Sequence, residues 1–416
     1  MIVKSYCVLF TILSYLMALS IPLSKTGITV SYISLILFFI IFSFLNSSFR
    51  QKLFGFLSST PLIKAILPLL IVCLLSIFYS SDLSEAWGRT SNILNLFLIS
   101  LIISFIVEKC NMKSYHLLLF FIVSLLALSI IGYLQVFLFN SMPLKPFRPL
   151  GMHHIWFANL LSMGIYISFV LILNLKRLSL PWFIATLLLL FIFLAFCSII
   201  FSTCRGAWLA LLATSFSSFF LFLRRKKIAL VISLVFILFL SVAIYNSSQT
   251  IRIRISQAIN DIEQYRKGHV STSIGSRFLM WKASWKIFKE SPLFGVGIGD
   301  YNLAIKNLVK EKEIPDFISR YNQPHSVYFF LLATTGIIGL FSFLWMFFYI
   351  IIVSLHQIIY RKKFHLSWIC FLITVHLLIA SFFDTLFFIY TIACAYGFIL
   401  GCTFKKEKDD FNLMLN

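Results

Sequence analysis

The sequence predicts an all-α, polytopic membrane protein of about twelve transmembrane helices, with one long helical loop between the ninth and tenth. Three observations predict it. Of the 416 residues, 60% are apolar and 12% charged, where a soluble domain is about half apolar and a quarter charged. Mean hydropathy is +0.96, so lipid is the solvent over most of the length. Apolar runs of the roughly 20 residues that a helix needs to cross a bilayer recur near 5–23, 27–47, 62–80, 91–108, 115–140, 155–175, 181–201, 206–223, 227–245, 325–355, 366–383 and 385–403. The runs 115–140 and 325–355 are long enough to tilt or to hide a break. Lys4 and the apolar run that ends at Pro22 resemble a signal peptide, but the run is long, its cleavage site is poor and more spans follow, so it reads as an uncleaved first helix.

The loops settle the expected sidedness. One alternate set holds Lys4; Arg50, Lys52 and Lys64; Lys109 and Lys113; Lys176 and Arg177; Arg224, Arg225, Lys226 and Lys227; Arg361, Lys362 and Lys363; and Lys405, Lys406 and Lys408. The short loops of the other set hold only Lys25, Arg89, Lys145, Arg148 and Arg205. The basic excess marks the first set as cytoplasmic, which puts both termini inside. The net charge of +21 therefore reflects loops facing the cytoplasm and no nucleic-acid partner. The chain divides into 1–245 with helices 1–9, a long periplasmic loop at 246–324, and 325–416 with helices 10–12 and a short cytoplasmic tail.

The long loop carries two amphipathic patterns. Ile255, Ala258, Ile259, Ile262 and Tyr265 form one helical stripe. Over 277–289, Phe278, Trp281, Trp285 and Phe288 share a side beside Lys282, Lys286 and Lys289. That spacing fits a helix in the lipid headgroup layer, or a loop helix packed on the bundle. FGVGIGDY then breaks the pattern with glycines. It follows no strand, so it is no nucleotide fingerprint; it reads as a turn needing positive φ, with Asp300 as a turn residue. None of the eight cysteines has the spacing of a zinc or redox site, and the long loop has none.

Three groups on the periplasmic side carry the chemistry: Arg205 in STCRGAW, Arg277 in STSIGSR and His325 in NQPHSVYFF. Singly, an Arg at a helix end ordinarily snorkels to lipid phosphate, and a boundary His ordinarily packs. Together they form a set. Guanidiniums stay charged and bind phosphate oxygens bidentately; two of them fit a diphosphate, and they stabilise its charge as it leaves. A histidine titrates near neutrality and accepts a proton from an attacking hydroxyl. An activated diphosphate needs no ATP, and the chain has no phosphate-binding loop, no HExxH, no GxSxG and no paired acidic motif. The expectation is chemistry with no cofactor and no metal. Asp384, in the turn between the last two runs, either orients His325, neutralises an Arg or is a plain turn residue. Arg148, His153, His154 and Asn159 lie at the start of the sixth run, as candidates to line an acceptor or lipid path; Arg148 and His154 are taken as supporting residues. His116, His356, His365 and His376 are set aside.

At these residues the chain resembles the O-antigen ligase and polymerase superfamily, most closely the lipopolysaccharide O-antigen ligases. SxxRGAWLALL at 202–212, GSRFLMW with the following FGVGIGDY, and PHSVYFFLLATTGIIGL at 324–340 carry the resemblance, in order and in spacing. It implies a glycosyltransferase of the bacterial inner membrane that takes an undecaprenyl-diphosphate-linked glycan as donor and a sugar hydroxyl of lipid A–core as acceptor. Arg205 and Arg277 then contact the diphosphate, His325 is the base, and Asp384 corresponds to a recurring acidic residue late in the bundle. An O-antigen polymerase and a protein O-oligosaccharyltransferase share the donor; only about a dozen residues after the last run favour ligase over the latter. A transporter or flippase also has such a helix count, but it commonly shows paired repeats and polar residues at the midplane. Here no repeat is found and the ionisable groups gather at one face.

Overall fold

The computed structural model describes residues 2–138, 147–223, 249–360 and 364–404, and among them it is helical throughout, with no strand. The helices are α1 (Ile2–Leu23), α2 (Lys25–Leu45), α3 (Ser47–Leu57), α4 (Pro61–Ile77), α5 (Leu83–Lys109), α6 (Ser114–Leu138), α7 (His154–Leu173), α8 (Trp182–Phe201), α9 (Arg205–Leu223), α10 (Gln249–Arg266), α11 (Ser273–Glu290), α12 (Tyr301–Lys310), α13 (Val327–Tyr360), α14 (Phe364–Ala380) and α15 (Tyr390–Thr403). Local chemistry sets many of the ends. Ser24, Asn46, Thr60 and Asp82 each accept a hydrogen bond from a backbone N–H in the first turn of the helix that follows, as N-cap residues do. Pro61 at the first position of α4 lacks the N–H that a helix start leaves unused. The α3–α4 pair bends by 76° at this break.

The chain is a multi-pass membrane protein. Among the described residues seven helices are long and apolar enough to cross a bilayer, up to eight if α3 and α4 count as one bent span, and two apolar helices, Leu366–Ala380 and Tyr390–Thr403, are shorter. The run 227–245, expected to be the ninth span, lies outside the described residues. The last run is not a plain span. Residues 381–389 form a corner with a short 3-10 turn at Leu386–Phe388, and only then does α15 begin. At 1.5 Å per residue its 14 residues measure about 21 Å, short of the roughly 30 Å hydrocarbon core. It is buried from Thr391 to Thr403, packed chiefly along α5 and also against α1, α6, α7 and α14. The shortest apolar helix is thus the centre of the bundle, and most of the corner before it is buried, with Phe382 exposed.

The long run near 325–355 does contain a break. In α13, Gly336 has φ 64° and ψ −161°, a region open essentially to glycine. A helix break orphans carbonyls and N–H groups, and the segment 292–297 satisfies both. Val296 N–H donates to Ala333 O at 3.1 Å, Gly297 N–H to Thr334 O at 2.9 Å, and Ile337 N–H to Pro292 O at 2.9 Å. Asp300 does more than shape a turn. Its buried carboxylate accepts from the N–H of Ser81 at 2.7 Å and of Asp82 at 2.8 Å, tying the loop to the start of α5. FGVGIGDY is therefore a backbone clasp that plugs α13 and caps the approach to α5.

The α11 stripe is also revised. Its buried face is Leu279, Met280, Ala283, Ser284 and Ile287, one position off the expected aromatic side, because α11 packs on α13. Trp281 lies half-buried, stacked on Phe329 with centroids 5.1 Å apart, while Trp285 is exposed. Lys286 pairs with Glu313 at 2.6 Å.

Candidate active site

One cavity of about 390 Å³ gathers most of the residues singled out from the sequence. Its walls come from α7, the turn before α9, α9 itself, α10, α11 and the corner after α14, and include His154, Asn159, Arg205, Arg254, Arg277 and Asp384. Two helix N-termini open onto it: Cys204–Ala207 at the start of α9, and Ser273 and Ile274 at the start of α11. Such ends present unpaired N–H groups and the positive end of the helix dipole, a setting for anions. Gly206 makes the first of these possible. A Cβ on it would fall 2.6 Å from Cβ of Phe383, so any side chain here would push α9 away from the corner that carries Asp384.

Three guanidiniums face a single carboxylate across this space. Arg205 donates to Ser273 Oγ at 3.5 Å, and its buried Nη1 has no partner. Arg254, not singled out from the sequence, donates to Thr203 Oγ1 at 2.6 Å and to Gln257 Oε1 at 3.1 Å. Burial pulls its pKa below the ordinary arginine value, and Arg205 adds to this. Burial lowers Arg277 as well; Asp384 opposes that shift and Arg205 reinforces it. Arginines remain charged under such shifts. The cavity therefore has an excess of partly buried positive charge and an unsatisfied donor, an arrangement that a multiply charged anion completes.

His325 is not a wall of the cavity; Asp384 links the two. His325 Nδ1 lies 3.0 Å from Asp384 Oδ1, and Asp384 is 3% exposed. A carboxylate can only accept, so Nδ1 carries a proton, and in the neutral imidazole Nε2 then holds the lone pair. This is the arrangement in which an acidic residue fixes the tautomer of a histidine base. The backbone at His325 is also unusual, with φ +50°, a left-handed conformation that costs an L-residue about 1–2 kcal/mol. Its neighbours impose it: Pro324 O accepts from Trp281 Nε1 at 3.1 Å, and Val327 N–H donates to Ser381 O at 2.9 Å.

The remaining candidates divide. His154 is in the cavity wall, with its ring 4.5 Å from that of His153. Burial lowers the pKa of His153, with Asp384 acting against the shift and Arg148 and His325 adding to it. Arg148 is exposed and forms no part of the wall. Asn159 is a wall residue whose Oδ1 lies 3.0 Å from Nε2 of buried His376, a histidine that sequence reading set aside. Neither Arg254 nor His376 sits in a recognisable motif, and only the chain's return to one place brings them here. Cys7 and Cys110 are joined in a disulfide with Cα atoms 5.3 Å apart.

Residues 190–344 match the family described as O-antigen ligase. A Haemophilus influenzae protein, described only as uncharacterized, is 28% identical over 151 residues, which is 36% of this chain and 38% of that protein. The family segment holds Arg205, Arg277 and His325, while Asp384 lies beyond it. The resemblance read from the sequence is thus borne out over 190–344, the part of the chain that matches the O-antigen ligase family.

Proposed function

We propose that the protein is an O-antigen ligase of the bacterial inner membrane. In this reading the twelve-span topology has both termini in the cytoplasm, and 246–324 is a periplasmic loop between 1–245 and 325–416. The donor is an undecaprenyl-diphosphate-linked glycan and the acceptor a sugar hydroxyl of lipid A–core. The observation that carries it is the cavity in which Arg205, Arg254 and Arg277 surround space for an anion, with the His325–Asp384 pair at its edge.

The chemistry balances without a further reactant. The acceptor oxygen attacks the anomeric carbon of the donor, forming the new glycosidic bond with inversion. The bond from that carbon to the diphosphate oxygen breaks, and its electron pair leaves on undecaprenyl diphosphate. The proton of the acceptor hydroxyl passes to Nε2 of His325, and Asp384 stabilises the imidazolium that results. The arginines and the two helix ends stabilise the charge accumulating on the leaving group, a contribution that grows toward the transition state.

His325→Ala should leave protein level and topology intact while abolishing polysaccharide-capped lipopolysaccharide on a silver-stained gel; normal ladders from that variant would remove the mechanism. Deletion separates the sister activities. Loss of a ligase leaves full-length polymer on the lipid carrier. Loss of a polymerase leaves single repeat units on core, and loss of a protein-directed transferase leaves lipopolysaccharide unchanged.

A further inference from the structure

We infer that Arg89, outside every motif discussed so far, is a positioning residue that holds His325 on Asp384 by way of Gln323. Arg89 lies nearly two turns into α5 and is 9% exposed. It is no wall of the arginine-lined cavity, so it is not placed to meet a diphosphate there. Its charge is already answered: Nε and Nη2 each lie 2.7 Å from Glu85 Oε1. What remains is a rigid fork with donors to spare. Nη1 donates to Gln323 Oε1 and Nη2 to Asn322 O, both at 3.4 Å, and the guanidinium carbon sits 5.2 Å from the ring centre of Phe330.

Gln323 Oε1 also accepts from the hydroxyl of Thr385. Gln323 is two residues before His325, and Thr385 is the residue after Asp384. One amide oxygen therefore joins α5, the segment that re-enters the bundle, and the corner that carries the carboxylate. The His325–Asp384 contact at 3.0 Å closes the same ring of interactions. His325 needs this bracing because its backbone is left-handed, and such residues persist only where their surroundings over-determine them. Trp281 braces Pro324 from α11; Arg89 braces Asn322 and Gln323 from α5.

The inference rests on the proposal that His325 accepts the proton, so the test includes both. Transfer from undecaprenyl-diphosphate-linked glycan to lipid A–core is measured with the full-length protein in liposomes, for Arg89→Lys, Gln323→Met and His325→Ala, and for each of the first two combined with His325→Ala. The single variants at 89 and 323 should lower kcat by about 10- to 100-fold, the scale of a misplaced catalytic group, with donor KM unchanged. Gln323→Glu, which keeps the acceptor oxygen, should recover most of the loss made by Gln323→Met. Against the residual single-turnover rate that the His325→Ala protein keeps in liposomes, neither substitution should lower the rate further, because residues that act through one group are not additive.

Losses that multiply in that background, or single variants with unchanged kcat, overturn the inference and leave the proposed function standing. A His325→Ala protein with the wild-type rate overturns the proposed function itself. Should Arg89→Lys fail to accumulate, Gln323→Met and Thr385→Val carry the same comparison.

Discussion

Asp384 stands between an imidazole that it orients and a group of guanidiniums whose charge it partly offsets. Removing its charge while keeping its shape tests both roles. Asp384→Asn should lower kcat by about 10²- to 10⁴-fold, by analogy with the loss when the acid of a catalytic triad becomes an amide, with little change in donor KM in a reconstituted transfer assay. Arg277→Lys keeps a charge but loses the planar fork. Losing one well-placed donor to a developing anion costs about 10²- to 10³-fold, so this variant should fall in that range when single-turnover rates are compared. Arg205, Arg277 and His325 were legible in the sequence because each sits in a short motif flanked by small or breaking residues. Arg254 was not. It stands in QTIRIRI, and nothing there distinguishes the arginine facing the cavity from Arg252; only the packing of α10 on α11 and α8 decides it.

At the scale of the element, the glycine-rich clasp and the broken helix make one unit. Asp300 accepts two backbone N–H groups, and hydrogen bonds to a charged group contribute about 1.5–3 kcal/mol each. Asp300→Ala should therefore destabilise the protein by about 3–6 kcal/mol, read as a lower Tm in detergent and faster proteolysis of the loop. Gly336→Ala should act at least as severely, since its Cβ would fall 2.3 Å from Leu293 O and its φ is positive. Helix existence was readable from apolar runs, and the run near 325–355 was long enough to announce a break. The partner that fills the break was not readable, because hydropathy carries no record of which orphaned carbonyl meets which N–H. The aromatic stripe of α11 misled for a related reason: periodicity finds an apolar face, but α13 is packed against the smaller residues beside it.

For the whole molecule, the positive-inside pattern predicts that single cysteines at 205, 277 and 325 react with a membrane-impermeant maleimide added to intact spheroplasts. Labelling that requires permeabilisation of the inner membrane would place the cavity on the cytoplasmic side and end the ligase reading. A separate expectation is that purified protein retains its transfer rate after exhaustive treatment with EDTA. The sequence by itself determined the solvent, the helical class and the candidate motif residues, since lipid demands long apolar helices and binding an anion beside a proton acceptor demands cationic and titratable side chains. Only the tertiary structure decided that the short α15 is the centre of the bundle, that Asp384 reaches His325, and that Arg254 and Arg89 attend them. Those contacts join residues tens to hundreds of positions apart, and such pairings follow from how faces pack in three dimensions, which no local pattern records.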